Sequence, residues 1–203
     1  NFCKKNSLKF FSMYGQTEAS PRISYLRPEL AEKKIGSIGK GIKGNKIYLI
    51  NKIGKKINKS FQEGEIVCEG KNVFIGYSEN YKDLKKTNNV KYKLKTGDLG
   101  FMDQDGFFYI TSRVNKIAKI FGNRIDLGIL ENLMNQKKYE VACLSDNKKI
   151  FVFTEKSYNK KNLISVISKL SNLNNSAFEV MKVKFFPRTP NNKISYSDLK
   201  KKH

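Results

Sequence analysis

The residue types best suited to chemistry crowd into residues 95–131, KTGDLGFMDQDGFFYITSRVNKIAKIFGNRIDLGILE. Thr96-Gly97-Asp98 sets a carboxylate beside a glycine, where a backbone can come close to a ligand. Asp105-Gly106 predicts the tip of a hairpin, with alternating aromatic and apolar residues after it. Arg113 follows the second strand of that hairpin, and a turn rich in Lys, Gly and Arg (Lys119, Gly122, Arg124) leads into a helix. The polar residues fall at strand ends, where sites are usually built. Upstream, Tyr14-Gly15-Gln16-Thr17-Glu18 offers a flat π surface, a small hydroxyl donor and a hard oxygen ligand. Downstream, Lys193 stands in Pro187-Arg188-Thr189-Pro190-Asn191-Asn192-Lys193-Ile194.

The elements that must hold these groups follow from periodicity and punctuation. Residues 9–13 are a short apolar run that reads as a buried strand delivering Tyr14. Residues 20–34 read as a loop, because Pro21 and Pro28 forbid a continuous helix. Gly39, Gly41 and Gly44 spell G-x-G-x-x-G, but a dinucleotide site needs that motif to open a helix, and here it opens a strand at residues 46–51. The glycines instead read as a tight lead-in to a β-rich subdomain. Residues 46–111 read as short strands: a Gly-containing hairpin loop at 51–56, a period-2 strand at 65–69, and a turn at 70–72. Residues 81–89 read as a short polar helix.

Residues 114–120 read as a strand, and Asp126 caps a helix to about Gln136 with Leu127, Leu130 and Met134 on one face. Strands at 140–144 and 149–154, a helix at 159–173 with Leu163, Val166, Ile167 and Leu170 on its stripe, and a strand at 181–186 complete a βαββαβ order. The expected fold class is therefore α+β, with a β-rich part followed by a small α+β domain.

Composition narrows the class further. A chain of 203 residues, 39% hydrophobic, allows one or two domains and a sizeable core. No apolar run approaches the roughly 20 residues of a membrane span. Residues 1–11 mix apolar residues with lysines and do not read as a signal peptide. Cys3, Cys68 and Cys143 are scattered with no C-x-x-C, which argues for a reducing, cytoplasmic setting. The formal charge of +22 is extreme. It has two readings, nucleic-acid or membrane binding and a lysine-rich composition on an ordinary surface. The lysines are spread along the chain and arginine is scarce, whereas base reading or bidentate phosphate binding favours arginine, so the compositional reading is preferred.

Taken together, these motifs resemble the junction between the large and small domains of adenylate-forming enzymes, the superfamily of acyl-CoA synthetases, peptide-synthetase adenylation domains and luciferases. That family's pattern is TGD, a DG hairpin, then G-R-x-D-x-x-x-K-x-x-G-x-R-x-x-x-x-x-x-E. Arg113, Lys119, Gly122, Arg124 and Glu131 match it, while Ser112 replaces the first Gly and Asn115 the Asp. Tyr14 to Glu18 resembles its Y-G-x-T-E motif in full. Gly64, Gly70, Gly76 and Tyr77 fit a glycine-spaced structural segment, and residues 187–199 resemble the terminal P-x-T-x-x-G-K-[IV]-x-x-x-x-L, with Asn192 in place of Gly. Asn tolerates the left-handed conformation such a turn needs.

The resemblance implies an AMP-forming acid–thiol ligase of bacterial type. A carboxylic acid would be activated as acyl-AMP and passed to coenzyme A or to a carrier-protein phosphopantetheine, with ATP and Mg²⁺. Residues 1–112 would be the end of the large AMP-binding domain, with a β-rich, distorted-barrel subdomain at about 35–111. Residues 113–203 would be the small, mobile C-terminal lid. The resemblance implies nucleotide binding by Tyr14, Gly15, Thr17, Asp98 and Arg113, catalytic roles for Lys193, Thr17 and Glu18, and Mg²⁺ on Glu18. It also implies a hinge at Asn115 and Lys116, and a thiol-transfer loop of Lys119, Gly122 and Arg124. The family's upstream phosphate loop is not in this sequence, so the expected partner is an N-terminal portion carrying it, without which little activity is expected. A second reading stays open: a non-catalytic module that reuses the fold and holds an acidic carrier protein or nucleic acid on its basic surface.

Overall fold

The computed structural model describes residues 2–78, 80–83 and 92–201, so the helix expected at 81–89 lies largely outside them. The chain divides into two compact units, Asn1–Val114 and Asn115–His203.

The first unit begins with a four-residue helix, α1 (Phe2–Lys5), and continues as strands β1 (Ser12–Gln16), β2 (Ala19–Leu26), β3 (Ser37–Gly41), β4 (Lys46–Ile50), β5 (Lys56–Ile57), β6 (Gly64–Glu69), β7 (Lys93–Met102) and β8 (Phe108–Arg113). They form one eight-stranded sheet in the order β1-β2-β3-β8-β7-β6-β4-β5, antiparallel at each junction. Tyr14, Ile23, Ile38, Leu49, Ile66, Val73 and Phe108 pack its core. The hairpin predicted at Asp105-Gly106 joins β7 to β8: Gly106 donates to Asp103 O and has φ +78°. The Asp103 carboxylate accepts the amides of Asp105 and Phe107, which pins the turn.

Three sequence expectations change in this unit. The strand expected at 9–13 starts only at Ser12, where pairing with Leu26 begins, and it includes Tyr14, Gly15 and Gln16 themselves. Phe10, Phe11 and Met13 are about half exposed, so apolar character did not report burial there. Residues 20–34, expected to be a loop, contain β2 and a 3₁₀ turn at Pro28–Leu30. Proline excluded a helix but not a strand: Pro21 falls in the irregular part of the register between Ala19 and Ser24, where bulges accept it. Gly39 and Gly41 lie inside β3, not ahead of the strands.

Gly39 shows what that strand demands. Its φ is +81°, and a Cβ there would lie 1.9 Å from the Tyr25 carbonyl oxygen on β2. Ser37 Oγ donates to Phe108 O and accepts the Gly39 amide, so a bulge presses β3 against both neighbours. Gly39→Ala is expected to cost at least the ~1–3 kcal/mol of a left-handed non-glycine residue. The fall should appear as a lower urea midpoint for the first unit, and an unchanged midpoint would contradict this tight packing.

The second unit starts with a 3₁₀ turn, Val114–Lys116, which spans its boundary and replaces the first part of the strand expected at 114–120. Then come β9 (Ile117–Ile120), β10 (Asn123–Asp126), α2 (Leu127–Gln136), β11 (Ala142–Ser145), β12 (Ile150–Thr154), α3 (Lys160–Ser171), β13 (Phe178–Lys182) and α4 (Tyr196–Lys201). Asp126 caps α2 by accepting the Ile129 amide, and Leu127, Leu130 and Met134 are its buried face, as expected. β9 and β10 form a hairpin, whereas the sequence suggested a turn leading straight into the helix.

The strand expected at 181–186 runs instead from Phe178 to Lys182, because its position is set by parallel pairing, from Ile150 with Phe178 to Thr154 with Lys182. The three-stranded sheet β11-β12-β13 is buried on both faces. Cys143, Ile150 and Val152 meet α2 and α3, while Ala142 and Phe153 meet Val183, Phe186 and Leu199. No helix among the described residues is long and apolar enough to cross a membrane.

Candidate active site

Asp98 is the centre of the first unit's polar cluster. It sits on β7 opposite Arg113 of β8, and only 3% of it is exposed. Arg113 Nε lies 2.9 Å from Asp98 Oδ1. The Tyr14 hydroxyl donates to Oδ2 at 2.5 Å, and Gln16 Nε2 donates to the same oxygen at 3.0 Å and to Thr96 O at 2.8 Å. Thr96 Oγ1 donates to Ile66 O and accepts the Asp98 amide, which fixes the carboxylate's backbone. Burial, then the hydrogen bond to Asp98, pushes the Tyr14 hydroxyl above its ordinary value, so it stays a donor. β1 and β7 are separated by β2, β3 and β8 in the sheet, so the sheet must coil to bring Tyr14 to Asp98.

Gly15 and Thr17 are exposed at the end of β1, and Glu18 follows in the turn to β2. The Tyr77 hydroxyl donates to Glu18, Phe74 N donates to Glu18 O at 2.8 Å, and Phe74 meets Tyr77 edge-on with centroids 4.8 Å apart. The glycine-spaced segment around Gly76 thus braces the Glu18 turn. Among the described residues no three His, Cys, Asp or Glu side chains gather as a metal site. Glu18 can serve only as a single carboxylate, which suits Mg²⁺ because that ion usually takes one or two carboxylates and completes its shell with water and substrate phosphates.

In the second unit, Lys119 and Arg124 face each other across the β9–β10 hairpin. Its two-residue loop is Phe121-Gly122, with φ of +48° and +79°, the signs of a type I′ turn. The Lys119 amide also donates to Asn147 in the β11–β12 turn, at 3.1 Å.

Lys193 is exposed in a closed loop. Thr189 N donates to Lys193 O at 2.8 Å, Asn192 N to Thr189 O at 2.9 Å, and Arg188 Nη1 to Asn192 O at 3.0 Å. Asn192 has φ +60°, the left-handed conformation expected of it.

Lys116 does not stand free beside Asn115. Its ammonium lies 2.8 and 3.0 Å from the two oxygens of Glu131 and 3.3 Å from the centroid of the Tyr196 ring. The Cys143 amide and the Tyr196 hydroxyl also donate to Glu131. Burial pulls Lys116 below the usual ammonium value even with Glu131 beside it. Sequence reasoning missed Gln16 and Tyr196. Gln16 occupies the unassigned position of its motif, and Tyr196 meets Glu131 across 65 residues of chain.

Residues 2–78 match the family model described as AMP-binding enzyme. The 2-succinylbenzoate–CoA ligase of Oceanobacillus iheyensis is 35% identical over 66% of this chain and 27% of the relative. That of Listeria monocytogenes serovar 1/2a is 25% identical over 99% of this chain and 42% of the relative. The chain is similar to members of the adenylate-forming superfamily. A solved relative in that family, the O-succinylbenzoate coenzyme A synthetase of Bacillus subtilis in complex with AMP, superposes with a TM-score of 0.68 at 25% identity, covering 98% of this chain and 42% of that one. The chain thus spans well under half the length of these adenylate-forming relatives.

Proposed function

We propose that the chain is the C-terminal portion of an AMP-forming ligase that joins a carboxylic acid to the thiol of coenzyme A. The observation that carries this reading is the buried Asp98 carboxylate on β7, with Tyr14 and Gln16 of β1 and Arg113 of β8 gathered on it. In the first half-reaction a carboxylate oxygen of the acid attacks the α-phosphorus of ATP. The bond to the β-phosphate bridging oxygen breaks, and pyrophosphate leaves. In the second, the thiol sulfur attacks the acyl carbon, loses its proton, and AMP departs.

Asp98 accepts the ribose hydroxyls on lone pairs left by its protein donors, and Arg113 donates beside it. The Tyr14 ring, held by its hydroxyl, gives a fixed plane for adenine. Thr17 donates to the phosphate. Glu18 would hold Mg²⁺, whose chemistry is to neutralise charge on the phosphate oxygens. Lys193 brings an ammonium to the oxygens on which charge grows. Lys119 and Arg124 suit the anionic groups of coenzyme A, and Gly122 keeps the hairpin tip narrow for a pantetheine arm. Coenzyme A is favoured over a carrier-protein phosphopantetheine because the relatives are named as CoA ligases. An N-terminal portion would supply the phosphate loop and most of the acyl pocket.

Calorimetry of the 203-residue chain with AMP tests the nucleotide site. Weak binding is expected, and Asp98→Ala should reduce it at least ~10-fold, since hydrogen bonds to a charged group contribute about 1.5–3 kcal/mol. Asp98→Asn controls for shape. Binding that ignores both substitutions would overturn the assignment. Absent AMP binding, with a salt-sensitive affinity for an acidic carrier protein or duplex DNA, would favour the non-catalytic basic module.

A further inference from the structure

We propose that Lys116 is a positioning residue: through Glu131 it moors the start of the second unit to the body that carries Lys193, and so confines the hinge to Val114 and Asn115. This rests on the ligase reading above and on the hinged, mobile C-terminal lid that the resemblance implies. Three elements converge on Glu131, which itself belongs to α2. Lys116 comes from the 3₁₀ turn, Cys143 from β11 and Tyr196 from the first turn of α4. Both ends of the ion pair are shielded, with side-chain exposures of 16% and 14%. The bond is therefore screened far less than a surface pair.

Its neighbours give the mooring its purpose. Arg113 is fastened to the first unit by Asp98, three residues before Lys116. Between these anchors lie Val114, which is 47% exposed, and Asn115, which is also exposed. The turn that holds them is a short 3₁₀ connector between β8 and β9. At the other end, Tyr196 is three residues past Lys193, and the Ser195 amide donates to Pro187 O across the base of the Lys193 loop at 2.7 Å. Glu131 thus joins the last residue of the hinge turn to the helix that closes the lysine loop. A rigid link between pivot and catalytic group converts a small rotation at the pivot into a defined placement of the ammonium. Without it the compliant stretch lengthens toward β9, and the productive placement becomes one of several.

The test uses Lys116→Met, Lys116→Arg and the double variant Lys116→Met/Glu131→Gln. In the 203-residue chain, Lys116→Met should speed amide exchange at Ile117, Ala118 and Cys143 by at least ~10-fold through local opening, with β7 and β8 unchanged. Unchanged exchange at these amides would overturn the mooring. In the intact ligase, Lys116→Met should lower kcat for ATP–pyrophosphate exchange by ~10- to 100-fold, the scale of a small misplacement, with KM for ATP unchanged. Lys116→Arg should restore it. The double variant leaves no buried charge and should recover the thermal midpoint while kcat stays low. Recovery of kcat together with stability would show a merely structural pair. If the wild-type protein shows no exchange, the ligase reading fails, and the hydrogen-exchange result still decides the mooring.

Discussion

Under the proposed ligase function, Lys193→Ala is expected to slow adenylate formation in the intact protein by about 10²–10³-fold, the usual effect of removing one preorganised donor to a developing oxyanion. Thioester formation from preformed acyl-adenylate should stay within a few-fold of wild type, because the proposed role of Lys193 is confined to the charge that grows in the first half-reaction. The loop geometry supports a local reading of this loss. The Lys193 side chain is exposed, and the loop is closed by Thr189, Arg188 and Asn192 through contacts to backbone atoms. Removing the ammonium therefore leaves the loop intact, and the thermal midpoint should not move. Single-turnover assays of the two half-reactions separate the steps. Equal loss in both would count against a lysine that acts in one step only.

Glu131→Ala should destabilise the second unit by about 3–5 kcal/mol, the range for removing one partner of a buried ion pair. The size follows from what is stranded: a shielded Lys116 ammonium, the Cys143 amide and the Tyr196 hydroxyl all lose their acceptor. Burial already disfavours the Lys116 cation, so loss of the carboxylate leaves that cost uncompensated. Urea unfolding followed by circular dichroism should show the transition of the second unit falling while that of the first unit stays. Glu131→Gln, which keeps an acceptor, should lose less. A loss below ~1 kcal/mol for the alanine variant would fit a solvated surface pair and not the buried network.

Local features were readable from sequence wherever one short segment settles its own geometry. The Asp126 cap, the Leu127–Leu130–Met134 face, the Asp105-Gly106 hairpin and the left-handed Asn192 each depend on a few neighbouring residues. The order of the motifs was readable as well, and it carried the family. The length and edges of strands were not. β2 was hidden because proline reports what a backbone cannot do, and β13 was displaced because apolar content does not fix which residue faces Ile150.

The sequence by itself determined which groups are present, their order along the chain, and the helices and turns that hold them locally. Only the tertiary structure decided who meets whom. Tyr14 donates to Asp98 across 84 residues because a twisted antiparallel sheet coils until its first strand reaches its fifth. Glu131 appeared in sequence as the last letter of a motif. It became a junction because α2, β11, α4 and the Val114–Lys116 turn close around it, and a shielded carboxylate must collect donors from whatever elements surround it.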